Sequence, residues 1–302
     1  MKTTQTIVSG PHGLGDNIYQ RAVLNGIPRD ARDSYYVITP WPDLLPEGFK
    51  AVKPDSPLRT QRKHEDSFPN NVWSVPPERA NILVTRYGAY EFAAGLSILD
   101  VMANVLGVSK PIMNLPDDPA WRSGKYMVVR PATLRREWYA EARNPDPVAL
   151  YQAVDLLRKQ GFTSIVVADL SKGEEWALEP MPPGDVFYTN GELTRARLFG
   201  LCAGASIIVG GVGWIVPYAL ASNKPALILH GGNGIYNSWG QIVGRLAPPN
   251  RITFLPPDKF CQCGDLRHAC NKYVSYTRIL ESVAETLRMV NGDDSNYVRK
   301  SA

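Results

Sequence analysis

The feature that most restricts this chain is a short apolar, β-branched segment, Thr6–Ser9. It runs straight into the glycine-rich stretch Gly10-Pro-His-Gly-Leu-Gly15 and then into a helix-like stretch from about Asp16 to Leu24. A run of this kind reads as a buried strand, and a strand turning on glycines into a helix is the opening unit of a doubly wound α/β sheet. The alternation continues. Tyr35–Ile38 and Asn81–Thr85 read as strands, and Glu91–Leu106 reads as a helix stopped by Gly107. Leu115–Trp121, with two prolines and two acids, reads as a linker. A second alternation follows: strand Tyr126–Val129, helix Asp146–Lys159 with an Asp cap, strand Ser164–Val167, helix Glu192–Ala205, strand Ile207–Val209, helix Ile215–Ala221 and strand Pro225–Leu229. The amphipathic segment Ile279–Val290 ends near Gly292, and the tail beyond it is expected to fray. The two blocks predict an α/β protein of two Rossmann-like, doubly wound parallel sheets facing a cleft. One domain spans 1–118 and the other 119–278. The segment 279–302 supplies a helix that packs back toward the first domain, plus a tail.

Composition narrows the function classes. A length of 302 residues fits two domains of about 100–200 residues each. With 44% hydrophobic and 21% charged residues the chain is not a disordered one. No run of about 18 apolar residues occurs, so no membrane-spanning helix is expected. The start, MKTTQTIVSG, has no hydrophobic signal core, and the expected location is the cytoplasm. The net charge of +4 is uneven, −1 over residues 1–120 and +5 over the rest. Such an excess suits a phosphate-bearing ligand and is too small to establish nucleic-acid binding by itself.

Two glycine-bearing segments carry the chemistry. In the first loop, His12, Gly13, Gly15, Asp16 and Asn17 lie where strand turns into helix, so the backbone approaches a ligand closely and the helix start offers free N–H groups. The spacing is not G-x-G-x-x-G, which disfavours a Rossmann oxidoreductase or epimerase. Asp16 reads either as a helix cap or as a carboxylate projecting into the cleft. The second segment, Gly191–Gly232, places a helix start at Gly211–Trp214, a position suited to a diphosphate. His230-Gly-Gly-Asn-Gly234 falls at a strand's carboxyl end and is expected to line the cleft. Arg130 and Arg135 are ligand contacts or surface charges. Glu174 and Glu175 hold a ribose hydroxyl or belong to a solvated loop, and Gln61-Arg-Lys-His64 is a solvated basic run or meets an anionic acceptor. Cys261, Cys263, His268 and Cys270 are zinc-ligand types at a spacing tighter than the usual C-x2-C knuckle, giving either a structural zinc or a reduced cysteine loop. Cys202 reads as core.

In their shared order these segments resemble the ADP-heptose:lipopolysaccharide heptosyltransferase family, whose two-Rossmann fold is called GT-B. Gly13-Leu-Gly-Asp16 resembles its first motif. Thr133-Leu-Arg-Arg-Glu-Trp138 is similar to its T-x-K-x-W segment, with Arg136 at the Lys position. Gly191–Gly211 and Pro217–Gly232 resemble its donor-side segments, and Cys261-Gln-Cys263 with His268-Ala-Cys270 is similar to a cysteine-bearing stretch before its last helix. The chain departs from the family at Val212-Gly213-Trp214-Ile215, where Asp-Ser/Thr-Gly-Pro is usual, and at Pro217, where His is common. The resemblance implies an inverting, metal-independent transfer from a nucleotide-sugar to an acceptor hydroxyl. Domain 1–118 would take the acceptor, with His12, Gly13, Gly15 and Asn17 on the acceptor-side loop and Asp16 as the base. Domain 119–278 would hold the donor through Arg130, Arg135, Arg136, Gly211, Val212, Gly213, Trp214, His230 and Gly231. The expected acceptor is a hydroxymethylated pyrimidine in bacteriophage DNA, since the chain is compact and departs from the heptose-type donor motif; the location would then be the host cytoplasm. The alternatives are a lipopolysaccharide or other surface glycan, and a non-catalytic sugar- or nucleotide-binding module.

Overall fold

The structure is a computed structural model that describes residues 5–122, 124–247, 251–265 and 270–292. The first unit holds strands β1 (Thr6–Ser9), β2 (Tyr35–Ile38), β3 (Lys50–Val52) and β4 (Asn81–Val84). Its helices are α1 (Leu14–Asn25), α2 (Arg59–Glu65), α3 (Ala89–Ala93) and α4 (Ile98–Leu106). All four strands are parallel, in the order β3-β2-β1-β4. In chain order the second unit contains β5 (Tyr126–Arg130), β6 (Thr133–Arg135), α5 (Pro147–Lys159), β7 (Thr163–Val167), β8 (Glu175–Ala177), β9 (Val186–Tyr188), α6 (Arg195–Gly204) and β10 (Ile207–Gly211). It continues with α7 (Ile215–Ser222), β11 (Ala226–Leu229), α8 (Gly234–Asn237), α9 (Trp239–Ile242), β12 (Ile252–Leu255) and α10 (Tyr276–Asn291). Six of these strands form a second parallel sheet, β12-β11-β10-β5-β7-β9, and β6 pairs with β8 in an antiparallel ribbon. The central strands are apolar throughout because both faces are covered: β10 and β11 are buried along their whole length.

Strand order reverses between β1 and β4 in the first sheet and between β5 and β10 in the second. In open parallel sheets these switch points open a crevice beyond the carboxyl ends of the strands, where ligands bind. The fold class expected from the sequence is therefore the observed one.

The two sheets share one core besides the clusters that each keeps to itself. One apolar cluster takes Ile18, Tyr19, Leu44, Phe92, Leu99 and Met102 from the first unit and Tyr126, Phe199, Ile215, Tyr218, Ile228 and Ile242 from the second. The first sheet's own cluster of buried residues is only Val8, Leu24, Ile27 and Val37. Helix α1 packs on α7, and Gly15 makes this possible: a Cβ there would lie 3.0 Å from the Trp214 Cα. The Tyr19 hydroxyl donates across the junction to the Ile242 carbonyl at 2.6 Å. Arg195, at the start of α6 and nearly fully buried, pairs with Asp43 at 2.6 Å and with Asp118 of the linker.

Two expectations are corrected. The stretch Glu91–Leu106 is not one helix: Gly95 takes a left-handed φ of 78°, and Ser97 restarts the helix with a reciprocal capping box to Asp100. Helix α10 does not pack toward the first unit. Its apolar stripe, with Ile279 and Val283, lies among Leu150, Val154 and Leu157 of α5 and Leu255 of β12, so hydrophobic burial assigns it to the second sheet. Among the described residues no helix is long and apolar enough to cross a membrane.

A shared core predicts cooperative unfolding of both units. In urea, tryptophan fluorescence and far-ultraviolet circular dichroism should give coincident transitions. Leu99→Ala, at a fully buried position, should lower both midpoints together at a cost of about 2–5 kcal/mol. Two separated transitions would mean independent domains.

Candidate functional site

The two switch points face each other across a cleft of about 1040 Å³. The first unit contributes His12, Gly13, Gly15, Asp16, Trp41, His64 and Tyr87 to its walls; the second contributes Arg130, Arg135, Arg143, Val212, Gly213 and Trp214.

Asp16 is third in the first turn of α1, while Gly13 occupies the cap position. Its Oδ1 accepts the Tyr87 hydroxyl at 2.5 Å. Burial pushes the carboxyl pKa above its ordinary value, while the Tyr87 hydrogen bond and the Arg143 charge pull the other way. Gly13 has no side chain because the Asp16 carboxylate fills the space that a Cβ would take. The plain-cap reading therefore does not describe this residue, which reaches back over the turn to Tyr87 from β4's carboxyl end. Asn17 turns inward instead: its Nδ2 donates to the Gly13 and Pro11 carbonyls at 2.8 and 3.1 Å, and its Oδ1 accepts the Thr39 hydroxyl at 2.7 Å. It shapes the loop rather than the cleft. The His12 carbonyl accepts the Trp41 indole N–H at 2.9 Å, and its ring lines the cleft, with a pKa lowered by burial and by Arg86.

On the facing side Arg130 ends β5 and Arg143 ends the short helical turn Glu141–Arg143. Burial, together with the neighbouring Arg143 and Arg135 charges, pulls the Arg130 pKa down to about 10; burial and Arg135 lower that of Arg143. Neither guanidinium makes an ion pair or side-chain hydrogen bond among the described residues. The Arg130 Nη1 lies 3.3 Å from where a Gly213 Cβ would be, so Gly213 leaves room for this side chain at the start of α7. Arg143 stacks over the Trp138 ring at 4.3 Å. Arg135 also reaches the cleft, held by Glu175 at 2.9 Å.

Several residues expected to touch the donor do not reach the cleft. Arg136 is 73% exposed and lies 3.7 Å from Glu174 on the outer surface, because its neighbour Arg135 takes the inward side of β6. Gly211 and Gly231 are buried under the chain itself: a Cβ on Gly211 would lie 2.7 Å from Pro145, and one on Gly231 would overlap the Asn144 carbonyl. His230 is 2% exposed; its Nε2 contacts the Asn237 carbonyl, its Nδ1 accepts the Gly232 N–H at 3.3 Å, and burial holds its pKa down to about 4. It is a neutral structural ring packed on Phe254 and Phe260. Tyr87 and Arg143 were not legible as site residues. No motif marks them, and only strand order and loop packing bring them to Asp16 and Arg130.

The basic run on α2 closes one end of the cleft and is neutralised there. Arg59 pairs with Asp169 at 3.2 Å, Arg62 with Glu137 at 2.7 Å and Lys63 with Asp169 at 3.6 Å, all in the second unit. Away from the cleft's cationic wall, the sulfurs of Cys261, Cys263 and Cys270 lie within 4.8 Å of one another, with separations of 3.4 Å from Cys261 to Cys263 and 3.8 Å from Cys263 to Cys270. A tetrahedral thiolate–zinc centre, with bonds of about 2.3 Å, separates its sulfurs by roughly 3.8 Å, so these donors fit a metal. Although burial opposes it, the Asn233 N–H and the adjacent thiols bring the Cys261 pKa down to about 7. His268 lies outside the described residues.

No protein-family model matches the chain, and no curated protein matches it by sequence. Solved structures do match it in three dimensions. The iron-containing dodecameric glycosyltransferase TibC from enterotoxigenic E. coli H10407 is 14% identical with a TM-score of 0.62, over 97% of this chain and 77% of that one. The same protein in complex with ADP-D-beta-D-heptose gives 14% identity and a TM-score of 0.59, over 97% and 78%. A glycosyl transferase of family 9 from Veillonella parvula DSM 2008 is 11% identical with a TM-score of 0.55, over 96% and 99%. The E. coli ADP-heptose lps heptosyltransferase II is 13% identical with a TM-score of 0.54, over 95% and 99%. Nearly the whole chain therefore has the two-sheet, GT-B-like architecture of heptosyltransferases and family 9 glycosyltransferases, as its sequence motifs in order had suggested.

Proposed function

We propose that the protein transfers a glycosyl group from a nucleoside-diphosphate sugar to an acceptor hydroxyl, with Asp16 as the general base. The observation that carries this reading is the placement of a carboxylate held by Tyr87 opposite two arginines that have no carboxylate partner among the described residues. The acceptor gives its proton to Asp16, and its oxygen forms a bond to the anomeric carbon. The bond from that carbon to the phosphate oxygen breaks, and its electron pair leaves with the diphosphate. One displacement from the acceptor side inverts the anomeric centre. Arg130, Arg143 and the N–H groups at the start of α7 meet the developing charge, so the step needs no divalent ion. ADP-sugars are the first donors to test, because one similar structure, TibC, holds ADP-heptose.

The acceptor we carry forward is a hydroxymethylated pyrimidine in DNA, which would have to leave the base stack to reach Asp16; the rings of Trp41, Tyr87 and Phe92 on that wall suit a flat group. A surface glycan is the competing acceptor. Incubating the protein with ADP-, UDP- and GDP-sugars and each acceptor class separates them by which product gains mass. Nucleotide binding with no transfer to either would favour the non-catalytic module.

Asp16→Asn separates base from scaffold, because Asn keeps the size of the side chain and its amide oxygen can still accept the Tyr87 hydroxyl. Turnover should fall about 10²–10⁴-fold with the melting temperature nearly unchanged; near-normal turnover would remove Asp16 from the chemistry. Because the base must be ionised and its pKa is raised, activity should be lost on acidification above the usual carboxylate range. Tyr87→Phe removes a hydrogen bond that lowers that pKa, so the acid limb of kcat/KM should move to higher pH.

We also propose that Cys261, Cys263 and Cys270, with His268 as the fourth ligand, hold a structural metal. Zinc suits the donor set, and iron enters the test because TibC is described as iron-containing. Such an ion would tie the loop at Asn233 to the segment around Cys261. Elemental analysis should find about one metal ion per chain, and Cys263→Ala should remove it and lower the melting temperature. Metal-free protein of unchanged melting temperature would leave the reduced cysteine loop.

A further inference from the structure

Strand β4 is the edge of the first sheet, and among the described residues no strand pairs with its outer side. Its bonds to β1 run through odd-numbered residues: the Asn81 N–H donates to the Gln5 carbonyl and the Thr85 N–H to the Ser9 carbonyl, both at 2.9 Å. Backbone groups alternate along a strand, so the N–H and C=O of Ile82 and Val84 point away from β1, toward the open edge. Their side chains are 65% and 50% exposed. A doubly wound sheet in the order 3-2-1-4-5-6 covers this edge with two further strands; here the chain leaves the sheet after β4 for α3 and α4. Exposed edges are commonly blunted by charge or proline, yet Asn81-Ile-Leu-Val84 carries neither. Open backbone groups flanked by exposed apolar side chains suit one more strand, added through the main chain.

The segment complements itself. Its outward-facing residues Ala80, Ile82 and Val84 are those that form hydrogen-bonded pairs with an antiparallel copy. A two-fold axis at Ile82 sets Ile82 against Ile82, Val84 against Ala80 and, one step beyond, Arg86 against Glu78 at both ends. Glu78 and Arg86 are exposed, and neither has an ion pair among the described residues. An axis at Ala80 sets Val84 against Pro76, which has no N–H to give, and an axis at Val84 sets Arg86 against Ile82 and leaves Glu78 without a cation. We infer that the protein is a homodimer in which β4 pairs antiparallel with β4 of a second copy about an axis at Ile82, joining the two four-stranded sheets into one. Arg86 lines the cleft, and Tyr87 beside it holds Asp16. The pairing therefore brings the partner's Glu78 to the mouth of the cleft and ties down the segment that carries Tyr87.

Analytical ultracentrifugation of the full chain tests this without substrate. At about 100 μM the native protein should sediment at twice the monomer mass. Ile82→Lys sets two like charges directly opposite each other at an exposed position, so the dissociation constant should rise about 10-fold or more while the melting temperature of the monomer holds. Arg86→Glu and Glu78→Arg should each weaken the dimer, and both changes in one chain should restore it, because each end then regains one acid and one base. Register is read by cross-linking. Only the residue on the axis faces itself, at a Cα separation of about 5.5 Å that a disulfide spans. Under a mild oxidant Ile82→Cys should give a covalent dimer, and Leu83→Cys and the native chain, with its own four cysteines, should not. A chain that stays monomeric at that concentration overturns the inference. So does a dimer that Ile82→Lys leaves intact, or one in which Leu83→Cys cross-links as readily as Ile82→Cys.

Discussion

The rest of the molecule depends on the packing of α1 against α7. The two helices start on different sheets, and each begins at a switch point. Gly15 lets their N-terminal turns meet with almost no separation, since even a methyl group would crowd the Trp214 backbone. Behind this contact lies an apolar cluster drawn from both units, while the first sheet's own buried cluster is only four residues. Ile18, Tyr19, Leu44, Phe92, Leu99 and Met102 are buried in the joint cluster, so much of the first unit's apolar burial is shared with the second. The same burial that makes the two sheets one folding unit sets the distance and angle between Asp16 and the arginines opposite it.

That placement explains the electrostatics of the cleft. The carboxylate comes from the unit whose sheet ends in β1 and β4, and the guanidiniums come from the unit whose sheet ends in β5 and β10. Acid and bases are held apart by the scaffold rather than paired. No Asp16–arginine ion pair forms among the described residues, and the attraction persists across a gap. The other charges around the cleft are treated differently. Arg135 with Glu175, Arg59 and Lys63 with Asp169, Arg62 with Glu137, and Arg195 with Asp43 and Asp118 are all satisfied in place. Arg59, Arg62, Lys63 and Arg195 fasten the units together through acidic partners, while Arg130 and Arg143 face the cavity.

Glycine serves two purposes that look alike in sequence. At Gly13 and Gly213 the missing side chain makes room for a functional group, the Asp16 carboxylate in one case and the Arg130 guanidinium in the other. At Gly211 and Gly231 it makes room for the chain's own turn at residues 144–145. Ligand approach and chain approach impose the same demand, an absent Cβ, and the linear pattern contains nothing that distinguishes them.

The sequence alone determined the local matters. β-branched runs bounded by glycine or proline place the buried strands, Asp146 caps α5, and Gly107 and Gly292 end their helices. Alternation of these elements requires parallel sheets, because a parallel crossover needs a helix. It also offered Asp16, just after the first glycine turn, as a carboxylate projecting into the cleft, where the packed fold puts it. What only the tertiary structure decided are the non-local matters. Tyr87 and Asp16 are 71 residues apart and meet because β4 lies beside β1. Of Arg135 and Arg136, both expected at the donor, only Arg135 at the end of β6 lines the cleft, while Arg136, the next residue, turns outward. His230 becomes a neutral core ring because burial outweighs its proton affinity. In each case the deciding quantity is which surface a residue is buried against. The sequence fixes a residue's neighbours along the chain, and only the packed fold fixes its neighbours across space.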